Sequence, residues 1–288
     1  MAGWVDTLVE ELAEETHWSY ELAGSIAAEP TAIAALALCA HRRVDAAARA
    51  CRRLGELQAT DGSVGVAPDR PSPGWPTGWA VLAWTALATN GGGSVHQQHV
   101  NRAVAWMLSQ HGRTFATPSE MGHDARLDGW PWVDGTHPWV EPTAVNLLAL
   151  KATGHGQLPR SREAAAMLVD RLLPDGGSNY GNTTVLGQVL RPHVEPTGLA
   201  LLALAGESDP SGRIERSLRY LENCLAKTPA AVSLAYGVMG LAAHGRRPAA
   251  ADDWLAAAAR QTKSYQRSPL RRGLIALAAA QRCPLVTV

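Results

Sequence analysis

The chain has 288 residues, 46% of them hydrophobic, and its 26 basic residues balance its 26 acidic ones. That length and apolar content suffice for a large buried core, while zero formal charge excludes the basic footprint of a nucleic-acid binder, so no nucleic-acid partner is expected. No apolar stretch reaches the roughly 18 residues a membrane span needs. The opening MAGWVDTLVEELAEETHW is acidic and amphipathic, unlike a basic region followed by an apolar one, so no secretory signal and a cytoplasmic protein are expected.

In chain order, an amphipathic segment, VDTLVEELAEE, is followed by the apolar EPTAIAALALCAHR from Glu29. RRVDAAARACRRLGELQ then carries charge on one face only, and WPTGWAVLAWTALATNG from Trp75 is apolar again. The alternation continues through SVHQQHVNRAVAWMLSQHG and EPTAVNLLALKATG from Glu141, then RSREAAAMLVDRLL and EPTGLALLALAG from Glu195. It ends with SGRIERSLRYLENCLAK, TPAAVSLAYGVMGLAAHG from Thr228, ADDWLAAAARQTKSYQ and SPLRRGLIALAAAQ from Ser268. Six copies of a Pro-marked phrase thus alternate with six one-sided helices. Proline suits the first helical turn, where its missing N–H is no loss. Segments that are apolar all round belong on the inside. Strand periodicity is not sustained anywhere. The pattern predicts an all-α fold: a single (α/α)6 toroid of about twelve helices over residues 1–288, with the Pro-marked helices forming the inner ring. The insertions at 129–141 and 175–194 precede inner helices and should gather on one rim.

Cys39, Cys51, Cys224 and Cys283 are scattered among Ala and Leu without paired spacing, which reads as small buried hydrophobes. No metal and no cofactor is expected. The histidines match no ligand spacing, and no Walker loop or Rossmann glycine pattern occurs. Arg160, Arg162, Arg191, Arg271 and Arg272 are unclustered, and arginine on an outer helix reads as a solvated face.

The phrases QATDGSVG from Gln58 and PDGGSNYGN from Pro174 resemble the glutamine-ended helix and Gly-rich turn of the prenyltransferase and squalene-cyclase repeat. With the repeated Glu-Pro-Thr starts, the whole chain resembles the terpenoid cyclase and protein prenyltransferase toroid superfamily, small bacterial single-toroid members included. The turn motif departs from the family's, with Val64 and Ser178 where Trp usually stands. The resemblance implies a cavity for an isoprenoid or similar apolar small molecule, with peripheral membrane contact left open. It places Glu141 where such cyclases carry their proton-donating Asp, although the two flanking acids of that motif are missing.

On this basis Glu141, Asp134 and His137 are candidate catalytic residues. Trp79, Trp130, Trp132, Trp139, Tyr180, His193, Glu195 and Tyr236 are candidate ligand-binding ones. Against the catalytic reading, Glu29, Glu141 and Glu195 occupy the same helix-start position, where the macrodipole stabilises a carboxylate by about 0.3–1 kcal/mol whatever the function. Three functions stay open: a non-standard class II cyclase or isomerase using a Glu acid, a non-catalytic binding or scaffold protein, and a prenyltransferase-like peptide-modifying enzyme.

Overall fold

A computed structural model describes residues 3–22, 24–117, 121–265, 268–280 and 285, and Cys283 lies outside the described residues. Twelve α-helices occur among them: α1 Trp4–Glu14, α2 Ala28–Ala40, α3 Val44–Glu56, α4 Thr77–Leu87, α5 Gln97–Ser109, α6 Val140–Ala152, α7 Pro159–Arg171, α8 Val194–Ala203, α9 Arg213–Cys224, α10 Ala231–Ala243, α11 Ala251–Tyr265 and α12 Pro269–Ala278. The only β-ladder longer than one pair among these residues joins β1 Thr184–Val185 to β2 Gln188–Val189, antiparallel, around a Leu186-Gly187 turn at positive φ. No described helix is long and apolar enough to cross a membrane.

The expected alternation is present helix by helix. In α2, 12 of 13 residues are buried, whereas α9 buries only Ile214, Ser217, Leu218 and Leu221 along one stripe. Each fully buried Leu or Ile contributes about 1.5–3 kcal/mol, so helices such as α2 are held by packing rather than by capping. Cys39 and Cys51 are buried free thiols and Cys224 is half-buried, and burial pushes the Cys39 thiol up to about 12.

The described residues form two compact units: those within 1–109, 229–235 and 249–285 in one, and those within 110–228 and 236–248 in the other. In the first, α2 packs against α3, α4 and α12. In the second, α6 packs against α7 and α8, and α8 against α9. Gly198 of α8 lets the backbone of α10 approach closely, since a Cβ there would lie 2.4 Å from the Tyr236 carbonyl oxygen.

The Gly-rich turns pack against helix backbone. Gly62 has φ +99° and Gly176 has φ +103°, and a Cβ on either would stand 2.4 Å from a helix carbonyl oxygen, that of Arg102 or Arg216. Gln58 locks the first turn: its Nε2 donates to the Gly62 and His99 carbonyls at 3.0 and 2.9 Å, and Oε1 accepts from Arg102 at 2.6 Å. Leu172 holds the matching place in the second turn, and Arg213 donates to the Asp170 and Leu172 carbonyls instead.

At three of the helix starts the threonine secures the loop before it. Thr77, Thr143 and Thr197 accept the backbone N–H of Val64, Trp130 and Ser178 at 2.8, 2.9 and 2.7 Å, all in buried surroundings. Thr197→Val keeps the shape but strands the Ser178 N–H. We expect it to cost about 1–3 kcal/mol in urea unfolding, with Thr197→Ser recovering most of the loss.

Candidate functional site

The second unit brings two Glu-Pro-Thr helix starts to one loop. Glu141 and Glu195 are each the second residue of their helix, α6 and α8, behind extended N-cap residues Trp139 and His193 that make no side-chain cap. A carboxylate there is favoured by the free N–H groups of the first turn. The loop between α7 and α8 is fastened to both ends: Val140 N–H donates to the Tyr180 carbonyl at 2.9 Å, and His193 N–H to the Ser178 carbonyl at 2.9 Å. Tyr180 therefore stands between the two helix starts. Gly181 lies under the Trp139 indole, where a Cβ would come within 2.8 Å of the ring. The rings pair off, His137 with Trp139 at 4.5 Å between centroids and Tyr180 with His193 at 5.2 Å.

The charges of both acids reach Tyr180. The Tyr180 hydroxyl is held above its ordinary pKa by desolvation first, and then by the negative charges of Glu195 and Glu141. It stays protonated at neutral pH and can donate. The His137 imidazole is pushed down by desolvation and by Arg171, which keeps it neutral, and its buried Nε2 has no hydrogen-bond partner among the described residues. The site thus offers two carboxylates, a phenol O–H, a neutral imidazole and an indole face. These are the parts of an acid–base site with a flat platform beside it.

Six of the eleven expected residues meet here: Glu141, His137, Trp139, Tyr180, His193 and Glu195. The others lie elsewhere. Asp134 is exposed and Trp132 half-buried on the loop before α6. Trp130 is buried with the Arg160 guanidinium 4.0 Å above its ring. Tyr236 is buried in α10, and Trp79 is fully buried in α4 of the first unit. No group of three or more His, Cys, Asp and Glu among the described residues is placed to hold a metal ion.

Other features have no plain mark in the sequence. Arg160 and Arg272 do not sit on solvated faces. Arg160 donates to the Gly129 carbonyl at 2.7 Å and lies 3.4 Å from Asp128, which also binds His111 at 2.6 Å. Arg272 is buried against Glu11 of α1 and Glu15 just beyond its end. In both cases an acid on a neighbouring element draws the guanidinium inward. Glu29, the helix-start acid of α2, accepts a hydrogen bond from Tyr20 at 2.8 Å and is itself buried.

His123 ties the loop before α6 to the β-hairpin, its Nδ1 accepting from the Thr183 hydroxyl at 3.2 Å and amide at 3.4 Å. Desolvation first, and then Arg171, push its pKa down from 6.5 to about 4, against smaller opposing effects of Asp170 and Asp124. The unfolded chain therefore binds this proton more readily than the folded one between those values. The contribution is complete above pH 6.5 and fades as pH falls toward 4, by up to roughly 3 kcal/mol. Thermal melts from pH 7 to 4 should show this loss. His123→Asn, which keeps an acceptor near the Nδ1 position but does not titrate, should flatten it.

No known protein family matches the sequence, and no curated protein does. Solved structures do match. An α-mannanase of glycoside hydrolase family 76 from Bacteroides thetaiotaomicron is similar at 11% identity, covering 96% of this chain and 94% of its own, with a TM-score of 0.65. A novel α-amylase from Clostridium perfringens is similar at 11% identity, 95% of each chain and 0.60. A protein from Actinoplanes is similar at 18% identity, 93% of this chain and 81% of its own, and 0.57. At such identities the likeness concerns the fold, which is all-α and of the (α/α)6 class.

These neighbours overturn the resemblance to terpenoid cyclases and protein prenyltransferases. The isoprenoid ligand, the cyclase or isomerase activity, the prenyltransferase-like reading and the membrane contact considered with such a ligand fall with it. The physical reason lies in the motifs. The Gly-rich turns answer to helix carbonyls at 2.4 Å, and the threonines to loop amides. Both are requirements of stacking helices and carry no information about a ligand. Two of the tryptophans assigned to the apolar cavity, Trp79 and Trp130, are packed into core.

Proposed function

We propose that this chain acts on carbohydrate, cleaving a glycosidic bond at the site formed by Glu141 and Glu195. The observation that carries the proposal is that one loop, through the bonds from Val140 N–H to the Tyr180 carbonyl and from His193 N–H to the Ser178 carbonyl, is fastened to both helix starts that carry Glu141 and Glu195. Glycoside hydrolysis needs such a pair: one carboxylic acid protonates the leaving oxygen as the C–O bond breaks, and the other carboxylate receives the positive charge developing at the sugar carbon or activates the attacking water. Water supplies the hydroxyl of the new sugar end and returns the proton. Tyr180, kept protonated, has an O–H to donate to a bound sugar oxygen. Trp139, held flat over Gly181, offers its indole to the C–H face of a sugar ring. The fold likeness to an α-mannanase and an α-amylase supports carbohydrate as the substrate class.

The cytoplasmic location belongs to the same proposal, supported by the free thiols of Cys39 and Cys51. The test is incubation of the purified chain with α-mannan, α-glucan and aryl α-glycosides, followed by reducing-end and chromogen release. Release from at least one substrate is expected. Saccharide binding without release from any of them would leave a non-catalytic sugar-binding protein.

A further inference from the structure

The first unit contains a cleft of about 840 Å3 that the catalytic reading does not use, between the segment joining α1 to α2, the C-terminal end of α3 and the loop at 67–71. We propose that this cleft is a second saccharide-binding site, one that takes a short neutral oligosaccharide. The choice of saccharide rests on the carbohydrate reading above. The recognition rests on the walls of the cleft.

Its volume falls in the range of pockets that enclose small ligands, roughly 300–1,000 Å3. Among the described residues, the only Lys, Arg, Asp or Glu side chains on its lining are Arg53 and Glu56, paired with each other at 2.8 Å and half-exposed. An ionic ligand thus meets no net charge, while the outer edges of the pair can still bind neutral hydroxyls. Further unused hydrogen-bonding capacity faces the same space. The Ser25 hydroxyl has no partner among the described residues, and His17 uses only Nδ1, toward Thr16 at 3.2 Å. Ile26, Leu57, Pro68 and Pro71 add apolar surface to the same lining. Hydroxyl-binding groups together with apolar surface suit a sugar ring, which carries both hydroxyls and C–H faces.

The cleft is also preformed, which lowers the ordering cost of binding. The Gln58 amide on its wall is fully committed to Gly62, His99 and Arg102. The opposite wall is fixed where Trp18 donates to the Leu12 carbonyl at 3.2 Å and Ala27 N–H to the Trp18 carbonyl at 3.0 Å. Gly65 packs directly on the Pro71 backbone, where a Cβ would come within 2.5 Å.

The experiment follows the His17 ring signals by NMR while maltotriose or an α-linked mannotriose is added to the full chain carrying Glu141→Gln and Glu195→Gln, so that nothing is turned over. One of the two is expected to shift those signals saturably. Ala67→Trp, which fills the cleft, should weaken that response by about tenfold or more. Should Ala67→Trp not fold, Ser25→Ala decides, with an expected loss of about three- to tenfold for one neutral hydrogen bond. Silence of His17 toward both trisaccharides overturns the proposal, as does an unchanged affinity in the variant that folds. If the wild-type chain cuts glycosides while His17 stays silent, only the second site is lost. If His17 responds while nothing is cut, only the catalytic reading is lost.

Discussion

Gly176→Ala is expected to destabilise the chain by about 3 kcal/mol. Two penalties coincide at that position. The backbone holds φ +103°, which costs a residue with a Cβ about 1–2 kcal/mol. The new Cβ would also stand 2.4 Å from the Arg216 carbonyl oxygen, which belongs to helix backbone and cannot swing aside, so overpacking adds about 1–3 kcal/mol. Gly206→Ala separates the two terms. Its φ is +78° and nothing lies within 4 Å of the added atom, so only the conformational part, about 1–2 kcal/mol, should appear. Urea unfolding of the two variants measures both. An equal loss in the two would mean that the close approach of turn and helix contributes nothing.

The same turn shows why some of this molecule could be read in advance and some could not. All twelve helices follow from a local property, the switch between apolar-all-round and one-sided segments, and each survives in its expected place. The Pro-Thr starts were equally plain as helix signals. The job of the threonine was not, because its partner amide sits in an irregular loop, as Trp130 and Ser178 do for Thr143 and Thr197. The burial of Arg160 was hidden for a related reason: the guanidinium turns inward only because Asp128 and the Trp130 ring, both supplied by the loop before α6, are there to receive it. Kinship was misread because the glycines record steric closeness of backbone segments, which any stack of paired helices demands. At the site, Glu141, Tyr180 and Glu195 could each be picked out from the sequence. Their meeting depends on two backbone hydrogen bonds that fasten the Tyr180 loop to α6 and α8, a pairing with no periodic signature.

Because Glu29, Glu141 and Glu195 occupy the same helix-start position, a set of Glu→Gln changes separates a device for starting helices from chemistry. Glutamine preserves size and hydrogen-bonding reach but can neither hold a negative charge nor give up a carboxyl proton. At Glu141 and Glu195, both partly exposed, stability should fall only by the fraction of a kcal/mol that a carboxylate gains at a helix N-terminus. Turnover of the substrate identified in the release assay should fall by about 10^2- to 10^4-fold in each single variant, the range that a positioned general acid or base contributes. The double variant should fall little further than the worse single one, since two residues acting on one transition state are strongly non-additive. Glu29→Gln should behave in the opposite way. That carboxylate is buried and receives the Tyr20 hydroxyl at 2.8 Å, so losing its charge weakens a charge-assisted hydrogen bond worth about 1.5–3 kcal/mol. Its variant should melt earlier and still turn over. Steady-state kinetics and thermal melts on the four proteins distinguish the outcomes. Turnover within about twofold of wild type in both Glu141→Gln and Glu195→Gln would remove the acid pair from the mechanism.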